Sequence, residues 1–132
     1  MKVYVLRLNT GKKLKESINE FSLKNKVKAG IILTCVGNVT RAVLRMADTK
    51  TVKTFKDKGS YEICSLSGTL EKGYSHLHIT ISDRNGNVYG GHLKEDTIVG
   101  VVAEVIIGEL DGIEFTRKFD KKTGFDLLEV SK

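Results

Sequence analysis

Tyr74-Ser-His-Leu-His-Ile-Thr-Ile-Ser-Asp-Arg-Asn-Gly-Asn-Val-Tyr-Gly-Gly-His-Leu93 decides how this chain folds. Positions 76–82 alternate polar and apolar side chains and are rich in β-branched residues, the pattern of a half-buried strand. Asp83-Arg-Asn-Gly-Asn87 is a turn cluster. A polar turn between two strand-like runs means an antiparallel hairpin, and two loops would close it. A two-residue Asn85-Gly86 loop would be a type I′ turn that sets Arg84 opposite Asn87. It would leave His92 on the other face from His76 and His78. A three-residue Arg84-Asn85-Gly86 loop would be a type I turn followed by Gly86 in the left-handed region, a G1 bulge. It would pair Asp83 with Asn87 and therefore His78 with His92. The three-residue loop is expected, because it gathers the polar residues on one face and leaves Leu77, Ile79, Ile81 and Leu93 on the other. A slip of one residue would reverse this sorting.

The same register has a chemical consequence. His76, His78 and His92 are all the histidines in the chain. Opposed residues share a face with Cβ atoms about 5 Å apart, and His76 follows about 7 Å along its own strand. Neutral imidazole nitrogens hold zinc or a similar divalent metal, and three protein ligands leave a position open for water or substrate. The three histidines are therefore the candidate metal ligands. Glu104 is a carboxylate within Val99-Gly-Val-Val-Ala-Glu-Val-Ile-Ile107, where alternation places it on the face of Val102 and Ile106. Carboxylates are seldom buried without a partner. Glu104 is the candidate acid/base or metal partner beside the histidines.

The rest of the chain reads as one α+β domain over 1–132, mainly antiparallel, with one helix and about eight strands. Residues 2–8 read as a first strand. Leu14, Ile18 and Phe21 fall at i, i+4 and i+7, one apolar stripe of a helix that ends near 25–28. Residues 31–36 and 39–47 read as two strands broken at Gly37-Asn38. Further strands are expected at 51–55, 60–69 and 98–107, with a terminal antiparallel pair at 112–119 and 125–130. Short turns favour antiparallel pairing.

Composition narrows the class. The chain has 132 residues and 40% hydrophobic content, enough for one real core. No apolar run reaches membrane-spanning length. Met-Lys-Val-Tyr-Val-Leu at the start reads as a strand rather than a signal peptide. A soluble cytoplasmic protein is expected. Cys35 and Cys64 lack metal-pair spacing and are expected to be buried free thiols. The net charge is +6, and residues 1–60 carry 14 Lys/Arg against 4 Asp/Glu. This half favours an anionic partner. Lys12, Lys13, Lys15, Lys24, Lys26 and Lys28 are the candidate phosphate contacts, and no one of them is singled out. Zinc-finger spacing and RNA-recognition aromatic motifs are absent.

The whole chain resembles the PPC ("plants and prokaryotes conserved") domain. Tyr61-Glu-Ile-Cys-Ser-Leu-Ser-Gly-Thr69, His76-Leu-His78, Gly86 with Gly90-Gly-His-Leu93, Ala103-Glu-Val-Ile-Ile-Gly-Glu-Leu110 and Phe119-Asp-Lys-Lys-Thr-Gly124 carry the likeness. The resemblance implies a mainly antiparallel domain, similar in fold to acetolactate decarboxylase, and usually a homotrimer. It also implies duplex DNA as a partner, through plant members whose DNA contacts are attributed to AT-hook segments. This chain has no Arg-Gly-Arg core, and plant PPC domains generally lack its His-x-His arrangement. Three readings follow: a DNA-binding or regulatory homotrimer, a small metal-dependent lyase or hydrolase, and a structural trimer without activity.

Overall fold

The computed structural model describes residues 1–132. In chain order the elements are β1 (Lys2–Asn9), α1 (Leu14–Lys24), β2 (Gly30–Arg45), β3 (Val52–Phe55), β4 (Tyr61–Glu71), β5 (Tyr74–Ser82), β6 (Val88–Leu93), β7 (Ile98–Glu109), β8 (Glu114–Asp120) and β9 (Phe125–Ser131). The result is a sheet-dominated α+β fold, as the sequence pattern predicts. Seven strands form one sheet in the order β1-β7-β2-β4-β5-β6, with β3 also on β2. All its ladders are antiparallel. The sheet curls back on itself, because β6 returns to pair with the end of β2 through Leu44↔Leu93 and Arg45↔His92. β8 and β9 form a separate two-stranded sheet.

The helix forms where its apolar stripe predicts. Leu14 and Ile18 are fully buried, and Phe21 packs against the core and meets Tyr4 edge-on at 5.2 Å. These side chains join one cluster with the inward residues of β2, β4, β5 and β7. Burying side chains of this size contributes about 1.5–3 kcal/mol each. Lys15 departs from expectation. It is buried, and its Nζ donates to the Ser75 carbonyl at 2.7 Å and to Ser75 Oγ at 3.0 Å. This lysine ties α1 to β5 and is not free to meet a phosphate. No helix is long and apolar enough to cross a membrane.

Two expectations are corrected here. The break anticipated at Gly37-Asn38 is an irregularity inside one long strand: the β2–β7 register shifts there and the ladder continues. Gly37 has φ +143, and a Cβ on it would lie 2.0 Å from the Val102 carbonyl oxygen. The glycine permits close backbone approach, and Asn38 Oδ1 accepts the Val101 N–H at 2.7 Å. Cys35 is buried as expected, but Cys64 is exposed. The β4–β5 register shifts between Ile63 and Ser65, on either side of Cys64, so simple alternation does not hold there.

Candidate metal centre

The hairpin closes with the three-residue loop. The Asp83 N–H donates to the Asn87 carbonyl at 2.9 Å, and the Gly86 N–H donates to the Asp83 carbonyl at 3.0 Å. Gly86 has φ +81, the left-handed conformation that the third loop position requires. The Asp83 carboxylate accepts the backbone N–H groups of Asn85 and Asn87, and also the side chains of Asn87 and Tyr89. The turn is thus clamped from inside, and His78 lies opposite His92.

On β5, Leu77, Ile79 and Ile81 point into the core, so His76 and His78 point out. His92 projects beside them from β6. The ring centroids are 5.1, 5.4 and 5.6 Å apart. One nitrogen from each ring lies within 4.8 Å of the others. Bonds of 2.0–2.1 Å at tetrahedral angles need nitrogens about 3.3 Å apart, so small ring movements would close the set around an ion. The donor chemistry suits zinc or a related divalent metal. A further sign of fit is His92 Nδ1, which is buried with no hydrogen-bond partner. Leaving such an atom unsatisfied costs about 1–3 kcal/mol.

The surroundings favour the neutral form of His76 and His92. Burial is the main influence pushing His92 down to about 4, and the positive charge of Arg45 adds to it. His76 is lowered by burial first, then by His78, Arg117 and Lys15. Neutral imidazole is the ligating form.

Glu104 is not brought to the cluster. It is exposed on β7, opposite Arg7 of β1 and Val36 of β2. His92 lies opposite Arg45, at the far end of β2. Nine strand steps run from Val36 to Arg45, a length along β2 of up to roughly 30 Å. Strand alternation identified the face of Glu104 correctly, but Glu104 pairs with β2 at Val36, whereas His92 pairs with its last residue, Arg45. Within one chain Glu104 cannot act as the acid/base beside the histidines.

The sequence reading missed Arg45, Arg117 and Tyr74. These three and the histidines line a cleft of about 680 Å³, which β9 borders with Phe125, Leu127 and Leu128. Arg117 Nε and Nη2 donate to the Glu71 carboxylate at 2.7 and 3.3 Å, and Nη2 also donates to Thr69 Oγ1 at 2.9 Å. Its guanidinium lies 4.8 Å over the Tyr74 ring. A weak signal was available for Arg117, since it alternates with Phe115 and Phe119 and so shares an apolar strand face. Arg45 gave none, because its place depends on the long-range pairing of β2 with β6.

The architecture recurs in solved structures. A hypothetical protein from Salmonella enterica superposes with a TM-score of 0.92 at 34% identity, over 98% of this chain and 93% of that one. A metal-containing protein from Archaeoglobus fulgidus gives 0.78 at 32% identity, over 96% and 92%. A candidate DNA-binding protein from Bacteroides thetaiotaomicron gives 0.85 at 24% identity, over 96% and 91%, which shows a shared fold alone. The bifunctional protein GlmU of a Synechococcus strain is 33% identical over 132 residues, all of this chain, which spans only 21% of GlmU. Residues 1–111 match the model of the Plants and Prokaryotes Conserved (PCC) domain. From β1 through β7, including all three histidines, the chain therefore belongs to the PCC domain family.

Proposed function

We propose that this PCC domain is a metal-binding protein whose His76, His78 and His92 hold one divalent ion, zinc foremost, in a small metal-dependent enzyme of the lyase or hydrolase type. The convergence of three outward imidazoles across the β5–β6 hairpin carries this reading. The metal-containing relative from Archaeoglobus fulgidus supports it. A bound ion would polarise a carbonyl or lower the pKa of a bound water. The chain itself supplies a partly enclosed cleft, two guanidinium groups and the apolar side chains of Phe125, Leu127 and Leu128. The reading places the protein in the cytoplasm, in keeping with its two free thiols.

The same reading includes a homotrimer. Val5 is 74% exposed, Val36 57% and Val101 67% on the β1-β7-β2 part of the sheet. Exposed apolar side chains grouped in this way mark an interface. Light scattering should give three chains per particle. Metal content decides the central claim. Protein purified without chelators should carry, or take up on titration, one ion per chain, and His76→Ala or His92→Ala should abolish uptake. Protein that neither carries nor binds zinc, cobalt or manganese overturns the reading and leaves a structural trimer.

A second reading, duplex DNA binding, rests on the exposed Lys12, Lys13, Lys24, Lys26 and Lys28 around α1. Lys13 is partly engaged by Asp96 at 3.0 Å. Phosphate contacts from such a surface would make affinity fall steeply with salt. Fluorescence anisotropy with a duplex oligonucleotide at low and physiological salt tests this. No binding at low salt excludes it.

A further inference from the structure

The cleft over the histidines contains two arginines in opposite circumstances. Arg117 is committed, since Glu71 and Thr69 take its Nε and Nη2 protons. Arg45 is not. It lies opposite His92 in the β2–β6 ladder, and no carboxylate comes within 4.0 Å of it. Its Nε is buried without a hydrogen-bond partner, and its guanidinium carbon is 5.5 Å from the Phe125 ring centre. A positive group with an unsatisfied buried donor, held in place beneath an aromatic ring, is poised for an anion.

The charge of the site points the same way. Three neutral imidazoles bring no negative charge to a divalent ion, so its full charge would remain. Arg45 stands next to that charge, and Lys15 is buried behind β5. Of the carboxylates near the cleft, Glu71 is held by Arg117 and Asp126 is exposed on β9. An oxyanion would neutralise the site, use the open metal position and satisfy Arg45 together. The wall opposite presents Phe125, Leu127 and Leu128, with Asp126 and Thr123 beside them. A volume of about 680 Å³ suits a small molecule.

We propose that the cleft binds a small organic oxyanion, a carboxylate or a phosphate ester, with Arg45 gripping the charged group beside the metal and β9 covering the organic body. This rests on the metal-centre reading, and the test separates the two. Cobalt(II) is loaded first and its stoichiometry measured. Benzoate, inorganic phosphate and neutral benzamide are then titrated against the cobalt absorption bands of the wild type, Arg45→Gln and Arg45→Lys.

Benzoate or phosphate should perturb the bands saturably, and benzamide should not. Whichever anion saturates at lower concentration identifies the ligand class. Arg45→Gln should weaken binding roughly tenfold or more at unchanged cobalt stoichiometry. Arg45→Lys, which keeps the charge without the planar fork, should fall between, and it serves if Arg45→Gln does not fold. Cobalt uptake without anion binding overturns the proposal alone, as does equal anion affinity in the wild type and both variants. Failure to take up cobalt overturns the metal reading and this proposal with it.

Discussion

Glu71→Gln tests how the β8–β9 hairpin is held over the cleft. An isolated two-stranded hairpin is marginal in water, and every side chain of β9 is exposed. The hairpin must be fastened to the main sheet. One fastening is Phe115, which is 7% exposed and whose N–H donates to the Lys28 carbonyl at 3.0 Å. Another is the Lys72–Glu114 pair at 2.7 Å, about half exposed and therefore weak. The third is Arg117 with Glu71, whose side chains are only 12% and 7% exposed. Removing one partner of a buried pair costs about 3–5 kcal/mol. The molecule has a cheaper escape, because detaching the hairpin returns the Arg117 charge to water.

The cost should therefore appear as local opening. Amide exchange across 114–131 should accelerate on the order of a hundredfold or more, following the 1.4 kcal/mol per decade relation. The amides of β2, β5 and β7 should keep their protection, and the global melting midpoint should fall by less than the full 3–5 kcal/mol would require. Hydrogen exchange with mass spectrometry on the intact protein reads both. Unchanged exchange at 114–131, or equal acceleration in every strand, would refute the idea that this pair is a latch.

Other consequences are as direct. Zinc at a hundredfold excess over its dissociation constant should stabilise the wild type by about 2.7 kcal/mol, roughly 10 °C for a domain of this size, and His92→Ala should show no zinc-dependent shift in thermal melting. Gly37→Ala would place Cβ 2.0 Å from the Val102 carbonyl at φ +143, so denaturant unfolding should show a loss of about 3 kcal/mol or more. In metal-free protein the depressed His92 means that the unfolded chain binds more protons between about 4 and 6.5. Stability should then fall as pH drops through that window, and His92→Gln should flatten the fall in pH-dependent melts. Iodoacetamide at pH 8 should label Cys64 alone, since Cys64 is exposed whereas burial pushes the Cys35 thiol up to about 12. Equal labelling of both cysteines in the folded protein would contradict the packing of β2.

Local rules act over a few residues, and those rules made much of the chain legible. The apolar stripe Leu14, Ile18 and Phe21 had one helical interpretation, and it is the stripe that packs. The Arg84-Asn85-Gly86 loop fixed the hairpin register, because a polar turn ending in a left-handed glycine admits few closures and one of them sorts polar from apolar side chains. The meeting of His78 with His92 was thus encoded within fifteen residues. Gly37 was misread because a glycine in an apolar run signals a break as readily as a close backbone approach, and the neighbouring strand that decides between them lies far away in sequence.

What the sequence determined by itself was periodicity, turn chemistry and therefore the face on which each histidine stands. Tertiary structure decided which faces meet. β2 pairs with β6 only after the sheet curls, and that closure sets Arg45 beside His92. β7 meets β2 with Glu104 opposite Val36, nine positions before Arg45, and that register separates Glu104 from the site. Lys15 turned inward because Ser75 offers its Nζ two oxygens within the fold. Such placements depend on loop closures across tens of residues, whose outcome is set by the packing of the whole core rather than by any local preference.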